Sequence, residues 1–262
     1  MYWGKYFQSL KIALKEAAAY KTVAFVNVIN SLLTLVLYYA IWSAIASSGS
    51  IEGGLVQVMS YLAIGQAVGR ATNLQTEMFL GNKIRDGSIT DELKRPMSIR
   101  GYTYTHEAGW KIFESIVIAA PILVAGGLFF NVAVPSVSQL LLFLVSLFLA
   151  FNLVFSLAFI TSVMVFWTKV GWSIRMMRNL AISLFSGKMF PLYLLPASIA
   201  PIFNILPFKG MTDTPVRIFM GSATGTEALK LMLHQITWTA ILLIVGAFLW
   251  RKARKQLTVQ GG

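Results

Sequence analysis

Few side chains in this chain of 262 residues could carry out a chemical reaction. The two histidines, His106 and His234, lie far apart, and neither has the spacing of a metal-binding pair such as His-Glu-x-x-His. Gly187-Lys188 is followed by Met189 and has no Gly five residues before it, so it is not a phosphate-binding loop. The absence of cysteine excludes disulfides and thiolate chemistry. We therefore expect no catalytic residue, no metal site and no cofactor bound by this chain.

Two polar residues lie within apolar stretches and could contribute to a pathway. An ionisable residue in such a stretch is costly and often functional, so Lys188 could line a translocation path. Its position near the outer membrane interface favours instead a side chain that extends to that interface. Asn152 could contact a transported molecule, or it could form a hydrogen bond to a neighbouring helix.

These residues belong to a chain with six long apolar runs. The runs cover residues 22–46, 54–74, 112–134, 138–166, 174–195 and 227–250. Each is long enough for a helix that crosses about 30 Å of hydrocarbon. The short loops Ser47–Gly53 and Asn131–Val137 contain no Lys or Arg, whereas the other connections and both ends are basic. The positive-inside rule thus predicts an all-α membrane protein with six transmembrane helices and both termini in the cytoplasm.

The composition agrees with a membrane protein. Hydrophobic residues make up 56% of the chain and charged residues 12%, about half the usual soluble share of roughly 25%. The net charge of +12 follows from this topology and from attraction to anionic membrane lipids, so we do not expect nucleic-acid binding.

Residues 1–21 form a separate element before the first run. Aromatic and aliphatic residues recur at i, i+3, i+4 and i+7 from Trp3 to Ala17, and lysines fall mostly on other faces. This pattern predicts an amphipathic helix in the membrane interface. The alternative is a soluble helix packed on a cytoplasmic partner.

Residues 75–103 form the only sizeable loop on the predicted cytoplasmic side. Thr90 is a plausible helix start and Pro96 a plausible stop. Because Ile84, Ile89, Leu93 and Met97 provide isolated apolar contacts, a short helix here could dock on another protein. A solvated connector is the other interpretation.

Residues 186–225 depart most from the pattern of spans and loops. Five of the eight prolines fall here, from Pro191 to Pro215, and they prevent one continuous helix. The stretch nevertheless stays apolar through Phe208, so we expect short re-entrant helices between the fifth and sixth spans, packed on protein and near an exit path. In the second span, Gly65 and Gly69 form a GxxxG motif that permits close helix packing, within the chain or between two chains.

The chain resembles the membrane permease subunits of type 2 ABC exporters, especially the small bacterial members that work beside a separate ATPase. The resemblance covers nearly the whole chain and rests on the amphipathic first helix and two local patterns. These are Ile84-Arg85-Asp86-Gly87-Ser88 with Ile89, Leu93 and Pro96, and the late stretch Phe185-Ser186-Gly187-Lys188 with Pro191, Leu206-Pro207-Phe208 and Pro215–Gly221.

The resemblance implies one transmembrane permease domain over residues 1–262, in a bacterial inner membrane. It implies that residues 84–96 dock on the ATPase. The residue types and positions in the spans and the late stretch make Asn152, Phe185, Ser186, Gly187, Lys188 and Pro191 the candidates for the path or its gate. Two copies of a cytoplasmic ATPase would bind ATP and Mg, and a second permease, identical or related, would complete the path within the membrane lipids.

The expected function is therefore ATP-driven export of an amphipathic substrate such as a drug, a peptide antibiotic or a lipid-linked molecule. The alternative is an ATP-independent secondary transporter or a channel subunit. A secondary transporter often has repeat-related broken helices, and a channel has a filter or a charged ring. The sequence shows neither feature.

Overall fold

The computed structural model describes residues 3–49, 51–94, 96–132 and 134–257, and these residues form helices joined by turns, with no strand among them. The helices of the first half are α1 (Trp3–Ala19), α2 (Lys21–Ser48), α3 (Gly54–Thr72), α4 (Thr76–Arg85), α5 (Ile89–Lys94), α6 (Ile99–Glu114) and α7 (Ala120–Phe130). Those of the second half are α8 (Val137–Thr168), α9 (Gly171–Phe185), α10 (Ala200–Ile205), α11 (Asp213–Phe219) and α12 (Gly225–Leu257). Short 3₁₀ turns occupy Leu192–Leu194 and Pro207–Met211.

Four helical segments are long and apolar enough to cross a membrane. They are Lys21–Ser48, Ile99–Phe130, Val137–Thr168 and Gly225–Lys255. The other two predicted spans, α3 and α9, do not have this property. The 15 residues of α9 extend only about 22 Å, and α3 carries Gln57, Gln66 and Arg70 among its apolar residues. The chain is thus a multi-pass helical membrane protein, while the count of six spans stays a prediction.

A π-helical turn joins α6 to α7, so Ile99–Phe130 forms one long helical segment. In the turn, Ser115–Ala119, the N–H of Ala120 donates to the carbonyl of Ser115. Pro121 follows at the start of α7 and has no N–H to donate to the preceding turn, which a regular helix would require. The wider turn accommodates this missing donor with one extra residue.

The centre of the bundle is α3, and it is buried almost completely from Val58 to Thr72. Its middle packs with Phe143 of α8 and with Val216 and Phe219 of α11 in one apolar cluster. A second cluster joins α8 to α12, where Phe159 and Trp250 have ring centroids 5.9 Å apart. Protein surrounds α3 on most sides, and this explains how its polar residues are accommodated.

The first helix packs along α6 rather than standing alone. Ala13 and Ala17 are fully buried, and Gly109 of α6 lies so close that a Cβ there would be 2.7 Å from the Cβ of Ala13. His106 and Glu16 form a pair at 2.9 Å across the same contact, while Phe7 remains exposed. The helical extent of α1 agrees with the sequence pattern, and one face is covered by the chain itself.

Candidate functional site

A buried carboxylate, Glu77, fixes α4 to α8 and α9. Its Oε1 atom lies 2.7 Å from Nε of Arg178 in α9 and accepts a hydrogen bond of 2.6 Å from the hydroxyl of Thr161 in α8. Neither charged side chain has more than 1% of its surface exposed. Burial raises the pKa of Glu77, and the guanidinium and the Thr161 hydroxyl oppose that rise. Breaking one member of such a pair leaves an uncompensated buried charge.

A second carboxylate extends this network to α6. Glu107 accepts hydrogen bonds from the backbone N–H of Gln75 at 2.8 Å and from the hydroxyl of Thr76 at 3.1 Å. It thereby stabilises the first turn of α4, where a helix leaves N–H groups without intrahelical partners. Arg178 also donates to the Leu74 carbonyl at 2.7 Å. We call this network, which ties the start of α4 to α6, α8 and α9, the Glu77 clamp.

Two glycines allow α4 to approach the start of α9. A Cβ at Gly171 would lie 2.5 Å from the carbonyl oxygen of Glu77, and a Cβ at Gly81 would lie 3.2 Å from Cα of Gly171. Since real Cβ atoms do not come this close to backbone, larger residues would separate the two helices. The backbone contact and the clamp therefore hold α4 rigidly against the bundle.

The residues Asp86–Ser88 form the turn that links α4, which ends at Arg85, to α5. Asp86 accepts hydrogen bonds from the backbone N–H and the hydroxyl of Ser88 at 3.0 and 2.6 Å, and these bonds lower its pKa. Gly87 has φ of 77°, a left-handed conformation that glycine adopts without strain. Arg85, Asp86 and Gly87 are exposed, so this turn presents a polar surface.

Ile84 and Ile89 pack against their own chain, which corrects the expectation that they offer apolar contacts to a docking partner. Ile89 is only 3% exposed and packs with Leu80 and Ile99, and Ile84 packs at the edge of the same cluster. Ile89 therefore holds α5 to its own chain and does not offer an apolar contact to a partner. Pro96 is exposed, as is Thr90, whereas the side chain of Leu93 lies outside the described residues.

The helix before the late stretch ends earlier than the prolines predict. The apolar run 174–195 and the prolines that begin at Pro191 predict a fifth helix that breaks near Pro191, but α9 ends at Phe185, where Ser186 and Gly187 form a buried turn and Gly187 has φ of 86°. A Cβ at Gly187 would clash with the hydroxyl of Tyr61. The tight turn, rather than the proline, ends the helix.

The turn after α9 packs deep against the middle of α3. The hydroxyl of Ser186 donates to that of Thr212 at 3.0 Å, and the hydroxyl of Tyr61 donates to the buried carboxylate of Asp213 at 2.7 Å. Because Tyr61 lies eight residues into α3, these bonds bring both ends of the proline-rich stretch to the interior of the bundle. Phe185 contacts Phe203 and Phe208, with ring centroids 5.3 and 5.6 Å apart. Pro191 is buried just before the first 3₁₀ turn.

The GxxxG motif of α3 contacts this same stretch within the chain. A Cβ at Gly65 would touch Thr212 at 3.6 Å and Val216 at 3.9 Å, and Gly69 lies against the side chain of Lys188. Lys188 therefore extends toward α3, near its predicted cytoplasmic end, and the interpretation that it extends to the outer interface is wrong. The helix ends before Lys188, so its side chain can turn back into the bundle.

Asn152 forms hydrogen bonds with neighbouring backbone and with another helix. Its amide donates to the Phe148 carbonyl at 2.7 Å, and its oxygen accepts from the hydroxyl of Tyr104 in α6 at 3.1 Å. These bonds join α8 to α6. Asn152 thus has the helix-packing role that was one of its two interpretations, and a contact with a transported molecule stays a prediction.

Two cavities lie at opposite ends of the bundle. One, of about 660 Å³, is bounded by α1, α2, α4 and α6 and combines aromatic with charged residues, including Tyr20, Phe79, Trp110, Glu16, His106, Lys111 and Glu114. The other, of about 480 Å³, lies between the start of α3 and the late stretch and is lined by residues that include Glu52, Tyr61, Tyr193, Lys209, Asp213 and Arg217.

Sequence reasoning missed the residues that organise both regions. Glu77 and Arg178 are 101 positions apart and Tyr61 and Asp213 are 152 positions apart, so no local spacing connects them. A signal was present nonetheless, because Glu77 lies three residues after an apolar run and a carboxylate buried there requires a partner.

Comparison with protein families gives one match. The family described as ABC-2 family transporter protein matches residues 28–261, which include every helix from α3 to α12. No curated protein matches the chain.

Proposed function

Because the chain belongs to the ABC-2 transporter family, we propose that it is the permease subunit of an exporter driven by a separate ATPase. Membership indicates a transport subunit that works with an ABC ATPase rather than an enzyme. We propose that two ATPase subunits, which bind ATP and Mg, act on a pair of permeases with six spans each. The family match does not distinguish an identical from a related second permease, and the exposed apolar faces of α2 and α9 are suited to either.

The single observation that supports coupling most directly is the Glu77 clamp. A polar turn at Arg85–Ser88 is exposed at one end of α4, and at the other end the clamp connects α4 to α6, α8 and α9. A push on the turn would pass through a short, rigid helix to α6, α8 and α9. We propose that ATPase closure moves these helices together and so changes access to the path.

The two cavities support an amphipathic substrate. The larger one places the rings of Phe79 and Trp110 beside the charges of Glu16 and Glu114, so it can contact both an apolar body and a polar group. The opposite cavity, between α3 and the proline-rich stretch, would receive the substrate on the exit side. In this proposal the stretch re-enters the outer leaflet, and the deep contacts of Ser186 and Asp213 with the bundle support that position. The chain would lie in a bacterial inner membrane with both termini in the cytoplasm.

The test is purification of the intact chain in mild detergent from its native cells, with identification of any co-purifying ATPase. The exposed turn would dock by charge, so Arg85→Glu with Lys94→Glu should remove the ATPase without changing the thermal stability of the permease. Arg251→Glu is the control, since it reverses an exposed charge at the end of α12. The proposal is contradicted if no ATPase accompanies the unaltered chain, and the docking surface is contradicted if the double variant retains it.

A further inference from the structure

A third, much smaller cavity lies beside the Glu77 clamp. Its volume is about 60 Å³, and it is enclosed by α3, α8, α9 and the segment after Gly187. Its polar lining consists of Thr72, Asn73, Arg178, Asn179, Lys188 and Thr212. It therefore joins the residues that hold α4 to the residues that begin the proline-rich stretch.

The cavity carries positive charge and no carboxylate lines it. Arg178 is 96% buried, and its Nη1 atom has no hydrogen-bond partner among the described residues. Lys188 forms no ion pair or hydrogen bond within that part of the chain, and Arg70 is a further positive charge close to it. Lys188 is thus a cation without a counter-charge among the described residues, and Arg178, although paired with Glu77, keeps one buried N–H group that requires an acceptor.

The remaining lining groups can donate hydrogen bonds. Thr212 accepts from Ser186, which leaves its own hydroxyl proton free for another acceptor. The side-chain amides of Asn73 and Asn179 form no hydrogen bond with the described residues, and each carries two N–H donors. Ammonium, guanidinium, amide and hydroxyl donors around one small space are the groups that bind an anion.

The volume restricts the class of anion. About 10–15 Å³ of such cavity space is enough for one water molecule, so about 60 Å³ has room for a small ion or for a few water molecules. A halide fits, whereas a lipid phosphate with its glycerol ester does not. We propose that this cavity binds one chloride ion between Lys188 and Arg178.

The bound chloride adds a further contact between α3, α9 and the segment after α9. It gives Lys188, on that segment, a counter-charge and gives Nη1 of Arg178, within α9, an acceptor. Gly69 of α3 lies against the same lysine, so the ion also fixes the late stretch to the central helix. Chloride is thus a structural ligand that keeps the turn at Gly187 in place.

The experiment measures the thermal stability of the purified permease, with its ATPase bound where one is present. Chloride is titrated against gluconate at constant ionic strength. We expect the apparent Tm to rise by roughly 5 °C and then saturate, since a ligand that binds only the folded state stabilises it. Lys188→Met, which removes the ammonium but keeps an unbranched chain, should abolish the rise. Lys209→Met is the matched control. Lys209 lines the cavity between the start of α3 and the late stretch, so this variant should retain the rise in Tm.

A structure determined with bromide in place of chloride gives an independent result. An anomalous peak within hydrogen-bond distance of Lys188 Nζ and Arg178 Nη1 supports the site, even if Lys188→Met fails to fold. The proposal is overturned by an equal Tm in chloride and gluconate, by an unchanged rise in Lys188→Met, or by bromide bound only elsewhere. These results do not depend on transport, so they are distinct from any failure of the proposed exporter function.

Discussion

Replacing Glu77 by Gln should destabilise the permease more than any change to an exposed charge of the same loop. Glu77 is fully buried 2.7 Å from Arg178, so the substitution leaves a buried guanidinium without its counter-charge. Breaking such a pair costs about 3–5 kcal/mol. The lower end applies here, because Gln can still accept from Thr161 and Arg178 still donates to the Leu74 carbonyl. At roughly 2–4 °C per kcal/mol, we expect the apparent Tm to fall by about 6–12 °C.

The assay is thermal unfolding in detergent at a fixed scan rate, together with transport-stimulated ATP hydrolysis by the assembled complex. Asp91→Asn is the matched control, since it removes a carboxylate of the same loop whose pair with Lys94, at 3.6 Å, is 71% exposed on the Asp91 side. Exposed pairs contribute about 0–1 kcal/mol, so its Tm should hardly change. The double variant Glu77→Met with Arg178→Met removes both buried charges and should recover much of the loss.

The reasoning is refuted if Glu77→Gln unfolds within 2 °C, a margin of about 1 kcal/mol, of the unaltered protein. A second contradictory result would be a double variant, Glu77→Met with Arg178→Met, whose Tm lies well below that of Glu77→Gln, as if the two substitutions destabilised the protein independently. The first result would mean that the pair is not buried in the membrane-bound protein. The second would mean that the two charges do not interact.

Three further predictions concern other parts of the chain. Gly171→Leu should push α4 away from α9, destabilise the permease by about 1–3 kcal/mol and lower ATPase coupling. Gly127→Ala is the control and should do neither, since a Cβ at Gly127 has only an ordinary contact at 3.9 Å. Equal unfolding temperatures of the two variants would argue against the close approach of α4 to α9. A single cysteine at Ser48 should react with an impermeant reagent added outside intact cells and one at Lys5 should not, and reaction at Lys5 would overturn the topology. Tyr61→Phe should destabilise the permease by about 1–3 kcal/mol in chemical unfolding because its buried carboxylate partner loses a donor, and an unchanged midpoint would contradict that hydrogen bond.

The long helices could be predicted from sequence because each one carries its own apolar signal. The runs 22–46 and 138–166 differ by no more than two residues at either end from Lys21–Ser48 and Val137–Thr168. The fifth run could not be delimited in this way. Its helix ends at the Gly187 turn, and that turn depends on contact with Tyr61, a residue of a distant segment.

The orientation of individual side chains was less predictable for the same reason. Ile89 has the spacing of a docking residue, but Leu80 and Ile99 cover it once the loop folds back. Lys188 belongs to an apolar run, and the sequence leaves open whether it lines a path or extends to the outer interface; in the structure it turns inward because its helix has already ended. The bulky Gly187→Trp substitution, an obvious test of a gate from sequence alone, would instead disrupt the contact with Tyr61.

The π turn at Ser115–Ala119 has a consequence for how related chains should be compared. One residue of an α-helix corresponds to about 100° of rotation, so an extra residue changes which side chains face each neighbour beyond it. Before the turn, Gly109 faces α1, and after it, Gly126 faces Ala63 of α3. A relative with a regular helix here needs one residue fewer to keep both faces. A correct alignment should therefore place a single-residue gap between Ser115 and Ala119, and an ungapped alignment would assign the wrong residues to the buried face.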